Sequence, residues 1–311
     1  MTFFPRLFVI ACAAYGTANL LASAALALFW RRLSASAGAA AILELRLIPG
    51  VMSCAVLMLA LAAQARFEPR GGEEQLGVVL VAIAGIAAAT LGAMATRLAV
   101  GHLAAGRAMR HWLKSAESIA IPGLDAPAYA VTSEFPTVAV VGILRPRMIV
   151  ARSVLDACSP AEWQAIVAHE RWHLRRRDNA RRMIVTAAPD VLSWLPFSRR
   201  ASQQWHLAAE QAADEAAARS TATARVDLAS ALLRVARLAP AAQTPALVPM
   251  SALFRGEDIE LRIRRILGGM PSPAPRSAGW VLACAGALVG VSLLTLYPIH
   301  ELVEIAVSYL P

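Results

Sequence analysis

Hydrophobic residues in this chain come in two textures: long unbroken runs, and shorter stretches where they recur with the period of a helix or a strand. Residues 7–30, 47–65, 75–96 and 277–299 carry no charged side chain, and each is near or above the ~20 residues a helix needs to cross a bilayer. They predict four transmembrane helices. The first reads as an anchor rather than a cleaved signal. Ala22, Ser23 and Ala24 resemble a cleavage site, but the apolar run continues to Trp30 and then meets Arg31 and Arg32. Glu44 and Arg46 stand at the entrance of the second run, where charged side chains reach headgroups, so no transport role is assigned to them.

Between the third and fourth runs the texture changes. Residues 128–151 collect the strand formers Tyr129, Val131, Val138, Val140, Val141, Ile149 and Val150, punctuated by Pro136, Gly142 and Pro146, and predict a short hairpin. Ser159, Pro160 and Glu162 supply a cap, a first-turn proline and a capping-box acid for a helix that follows at once. Residues 226–238 and 259–267 have helical apolar spacing and are expected to be core helices reaching back to the fourth span. Residues 183–198 are apolar except for Asp190 and are broken by Pro189 and Pro196. That is short for a span, leaving an interfacial or re-entrant hairpin and a buried helical hairpin as the two readings. The pattern divides the chain into a membrane part (1–106), an inserted α+β domain (107–276), and a last span with a short tail (277–311).

Composition sharpens this picture. With 58% hydrophobic and only 16% charged residues, against roughly 25% charged in ordinary soluble domains, a purely soluble enzyme is not expected. The net charge of +9 is distributed by topology. Arg31 and Arg32, then Arg97, Arg107, Arg110 and Lys114, then Arg262, Arg264, Arg265 and Arg276 all flank one membrane face, while on the other Arg66 and Arg70 stand against Glu68, Glu73 and Glu74, and Glu301 and Glu304 follow the last run. Positive residues stay inside. Both termini are therefore expected outward and the inserted domain in the cytoplasm, in a bacterial-type inner membrane. Arg175, Arg176, Arg177, Arg181 and Arg182 read as a solvated or headgroup-facing surface. No recognition-helix or zinc-finger pattern accompanies the positive charge, so no direct nucleic-acid contact is expected, and the bilayer is the basic residues' partner. Cys12, Cys54, Cys158 and Cys284 have no metal-ligand spacing and are expected to be reduced thiols.

The candidate chemistry lies on the capped helix. His169-Glu170-Arg171-Trp172-His173 is the HExxH pattern: a spacing of four puts both imidazoles on one helix face, where they can bind one Zn2+, and sets Glu170 to hold and deprotonate a water. Glu210 and Asp214, again four apart on an Ala-rich helix, would alone read as a solvated face. After HExxH they become a candidate third ligand and a second carboxylate able to orient an imidazole. His206, one turn before Glu210, is either an oxyanion donor or a plain helix-surface histidine. The predicted strand carrying Val138, Val140 and Gly142 is either structural or an edge that pairs with an extended substrate.

At these residues the chain resembles the BlaR/MecR-type, or antirepressor, family of integral-membrane zinc metallopeptidases. The likeness takes in three spans before the domain and one after it, the 135–150 segment with Gly142 and Pro146, the stretch HERWHLRRRD ending at Asp178, the EQAAD segment, and IELRIRRIL at 259–267. The resemblance implies a mainly α membrane protein with four transmembrane helices and a cytoplasmic zincin-like metallopeptidase domain between helices 3 and 4. It implies His169, His173 and Glu210 as zinc ligands, Glu170 as catalytic base and Asp214 as supporting acid. The implied substrate is a cytoplasmic protein, such as a transcriptional repressor in a signalling pathway. A signalling scaffold without activity and a membrane quality-control protease are the rival readings. The family's sensors continue after the last span into a large extracellular penicillin-binding domain, whereas this sequence ends at Pro311, so covalent sensing of a β-lactam is not expected. The oligomeric state stays open.

Overall fold

The computed structural model describes residues 3–34, 37–67, 77–133, 135–188, 190–192, 196–238, 256–269, 301 and 305. The fourth predicted span, 277–299, and Trp194 lie outside them. The chain forms two compact units: one from the residues up to Arg97 together with Val185–Ser202, the other from Leu98–Ile184 and the residues from Gln203 through the last described helix.

In the first unit, the runs predicted to span the membrane are helices α1 (Phe3–Ser34), α2 (Ala39–Phe67) and the start of α3 (Val78–Leu113). All three are long and apolar enough to cross a membrane. They overrun the charge-free windows at nearly every end, because a helix continues through basic flanks that end a hydropathy run; α3 passes residue 96 to reach Leu113. Ile10, Ala13 and Tyr15 of α1 pack on Leu80, Ala84 and Ala87 of α3. Gly16 allows that approach, since a Cβ there would come within 3.1 Å of Ala87. Outward, Val78, Val81 and Ile86 are exposed, as a lipid-facing surface requires.

Two expectations change here. Arg46 does not reach for headgroups: it is 2% exposed, donates from Nη1 to Asp190 (2.9 Å) and from Nη2 to Ser198 (3.0 Å), and has Phe197 against its guanidinium. Glu44 is buried as well. The apolar segment around Asp190 belongs to this unit, and its backbone is held from α1, where the Asn19 carboxamide oxygen accepts the Val191 N–H at 2.9 Å. An isolated arginine in an apolar helix requires a buried partner, and that partner is the one acid in the segment.

The second unit is built on a mixed four-stranded sheet in the order β1-β2-β4-β3: β1 (Glu117–Ile119), β2 (Ala128–Val131), β3 (Val138–Val141) and β4 (Arg147–Ala151). Only β3 and β4 form the predicted hairpin, turning at Gly142 (φ +100°), where a Cβ would meet Arg145 O at 2.8 Å. β2 instead pairs parallel with β4. β3 is buried along its whole length, which erases the alternation that identifies a strand in sequence. One sheet face packs on α5 (Pro160–Arg176), α8 (Ala224–Leu238) and α9 (Gly256–Gly268) through Val138, Met148, Val150, Ile166, Leu228, Leu232 and Ile266. The other meets Met109 and Trp112 at the end of α3.

Helix α5 starts as expected. Ser159 Oγ accepts the Glu162 N–H and Glu162 Oε2 accepts the Ser159 N–H, a reciprocal cap worth about 1 kcal/mol. Glu162 is further held by Ser230 and Arg234 of α8, which hold its pKa below the usual carboxylate value against the opposing effect of burial. Arg177, in the left-handed region (φ 53°), ends α5, and α6 (Asp178–Ala187) begins with the next residue.

Candidate metal centre

Helix α5 presents His169 and His173 one turn apart, their rings edge-on at 4.8 Å between centroids and their Nε2 atoms 3.1 Å apart. From α7 (Pro196–Ala218), Glu210 brings Oε1 to 3.4 Å from His173 Nε2 and Oε2 to 3.5 Å from His169 Nε2. Ligand bonds of 2.0–2.2 Å in a tetrahedron require donors roughly 3.3 Å apart, so this spacing fits one zinc-sized ion. Glu210 Oε2 is buried without a hydrogen bond, an acceptor suited to a cation. His169, His173 and Glu210 are the group able to hold a metal among the described residues.

Carboxylates stand behind both rings. His173 Nδ1 lies 2.8 Å from Asp178 Oδ2, and His169 Nδ1 lies 3.0 Å from Asp214 Oδ1. A proton on each Nδ1 leaves both Nε2 lone pairs facing the centre. Arg262 of α9 completes the shell, with Nε and Nη2 donating to Asp214 at 2.8 and 2.7 Å and Nη1 3.3 Å from Glu210 Oε2.

The electrostatics follow from this crowding. Burial opposes charge on every member, yet His173, His169 and Arg262 hold the Glu210 carboxyl far below its ordinary range, and Arg262 and His169 lower that of Asp214. Burial would lower the His169 pKa, but Asp214 and Glu210 carry it up to about 10. Glu170 moves the other way: burial pushes its pKa up, and its Oε2 accepts the Val140 N–H at 3.1 Å. A carboxyl tuned upward is suited to taking up and returning a proton.

A cavity of ≈ 30 Å³ opens beside Glu170, His173 and Glu210, walled by Val140, His206 and Arg182, with room for a water or two. His206 is thus brought to the cleft. On β3, Val138 and Val140 turn their main chain away from β4, because alternate residues of an antiparallel pair do so, and Gly142 follows just past the strand's end. That outward edge is already engaged at Val140 and Gly142. Asn179 Nδ2 donates to Val140 O at 2.8 Å and to Gly142 O at 3.0 Å, alongside the Glu170 contact.

Asp178, Asn179 and Arg262 were not legible as site residues. Asp178 entered only as the end of the family-like stretch HERWHLRRRD, with no role, and Arg262 as one more topological charge. A signal was present for Arg262, which sits on the apolar stripe of Ile259, Ile263 and Ile266, where a charge requires a buried partner.

Fold and site together define a helical protein with membrane-length helices and a buried His-His-Glu centre next to a carboxyl held by an edge strand. A family model described as BlaR1 peptidase M56 matches residues 20–266, and the chain belongs to that family. This makes it a membrane-associated metallopeptidase by family. No curated protein and no solved structure matches it.

Proposed function

We infer that this chain is a zinc-dependent endopeptidase of the inner membrane that hydrolyses peptide bonds in a cytoplasmic protein, a regulator of the transcriptional-repressor kind. The observation that carries the reading is the His169–His173–Glu210 triangle at 3.1–3.5 Å with Glu170 beside it. Zinc held by these three ligands supplies Lewis-acid polarisation of the scissile carbonyl and lowers the pKa of a water from 15.7 to about 7. Glu170 takes the proton of the attacking water and returns it to the leaving amine. Asp178 and Asp214 hold the rings in register, and His206 and Arg182 in the cavity wall are candidate donors to the oxyanion. The outward edge at Val138, Val140 and Gly142 pairs with an extended substrate once Asn179 releases its carbonyls and Glu170 the Val140 N–H.

Residues 1–106 with three spans anchor the enzyme, residues 107–276 form the peptidase domain, and 277–299 make a fourth span. The Arg distribution puts the domain in the cytoplasm and both termini outside.

The test has two parts. Detergent-purified wild type should hold about one zinc per chain and Glu210→Ala clearly less; equal zinc in both would remove Glu210 from the ligand set. In cells, one or two cytoplasmic fragments present with wild type and absent with Glu170→Gln identify a regulator as substrate. Many such fragments point to quality control instead, and none removes the peptidase reading.

A further inference from the structure

Arg262 is 6% exposed, on a helix far along the chain from both halves of the metal centre. Its guanidinium uses three nitrogens on two carboxylates: Nε and Nη2 grip Asp214 at 2.8 and 2.7 Å, and Nη1 lies 3.3 Å from Glu210 Oε2. Glu210 and Asp214 are one turn apart on α7, so a single planar cation spans that turn. Asp214 Oδ1 is also the atom 3.0 Å from His169 Nδ1. The same guanidinium therefore controls the third ligand directly and a histidine ligand through its carboxylate.

We propose that Arg262 is a positioning residue of the metal centre: it locks Glu210 and Asp214 into one rigid carboxylate pair, so that the centre has its binding geometry only with α9 docked. This rests on the metal-centre reading above. A fork that bonds one carboxylate through two nitrogens fixes orientation as well as charge, which a lysine ammonium cannot do. Without it, two buried carboxylates a turn apart repel, and Glu210 is free to rotate away from the imidazoles.

The experiment uses the full-length chain in detergent, with Arg262→Lys, Arg262→Gln, and Arg264→Gln as a control on the same helix, since Arg264 is exposed and pairs with Glu260 on α9 itself. Cobalt(II) replaces zinc as the probe, and two quantities are read: affinity by chelator competition, and the visible d–d spectrum of the loaded protein, which reports ligand geometry. Both Arg262 variants should bind cobalt about 10- to 100-fold more weakly and give an altered spectrum, while Arg264→Gln matches wild type. Wild-type affinity and spectrum in both Arg262 variants overturn the proposal and leave the metal centre standing. Full recovery in Arg262→Lys alone reduces the residue to a charge and overturns positioning. Failure of wild type itself to take up metal overturns the underlying reading along with this one. Should Arg262→Gln fail to fold, Arg262→Lys, which keeps the charge, decides the question alone.

Discussion

Two buried polar clusters in this protein differ in one respect, their charge balance. Among the membrane helices, Arg46 meets Asp190, and the second Asp190 oxygen accepts the Leu192 N–H. One cation faces one anion. In the peptidase unit, Glu170, Asp178, Glu210 and Asp214 are all buried, with Arg262 on Glu210 and Asp214 and Arg181 3.9 Å from Asp178, so with neutral imidazoles the set falls short by about two positive charges. A matched pair pins a structure, whereas an unmatched set leaves room for a divalent ion. In the metal-free protein a proton meets part of the shortfall, which is why His169 titrates as high as about 10.

The largest effect should come from Glu170, the member of the unmatched set that carries the proton. Glu170→Gln removes a proton carrier and is expected to lower hydrolysis by about 10²- to 10⁴-fold with zinc content unchanged; zinc loss in this variant would merge the base with the ligands and break the distinction. Next comes the matched pair. Arg46→Met strands Asp190 and should destabilise the detergent-solubilised protein by about 3–5 kcal/mol, and the double variant Arg46→Met/Asp190→Leu should recover most of that. A double variant no more stable than the single one would mean that the pair is more than a matched pin. Smaller again, Asp178→Asn weakens the orientation of His173 and should reduce zinc affinity by about 10- to 100-fold, read by chelator competition.

A pH dependence should also separate metal-free from loaded protein. A histidine whose folded pKa is raised contributes stability that is complete below its unfolded value of about 6.5 and is lost as pH rises. For His169 the loss runs up to about 10. Melting temperatures of the metal-free protein should therefore fall across that window, and zinc, which displaces the proton, should flatten the curve. Parallel curves for the two forms would show that proton and metal do not compete for this site.

The halves of the site were not equally readable in the residues. HExxH, the Ser159–Glu162 cap and the charge-free runs each depend on neighbours within a few turns, so spacing alone carried them. Glu210 and Asp214 became a candidate half-site through their four-residue spacing once HExxH was present, and the family resemblance then carried them over, though nothing local to that helix says what it faces. The sheet was half legible. The β3–β4 hairpin shows in its turn residues, but the parallel pairing of β2 with β4 passes over an intervening strand and leaves no periodic trace. The basic stretch 175–182 was read as a surface, yet the left-handed Arg177 ends α5 so abruptly that Asp178 lies behind His173 and Asn179 on the edge of β3.

Local order in the chain was enough to determine that apolar helices of membrane length precede a helix bearing two imidazoles one turn apart with a carboxyl between them. Helical periodicity repeats every few residues and needs no partner to be recognised. Which buried charges find one another was decided by the fold alone: Arg46 reaches Asp190 across 144 positions and Arg262 reaches Asp214 across 48. Taking a charge out of water is costly unless another element delivers its counter-ion, and only the packed chain says which element that is.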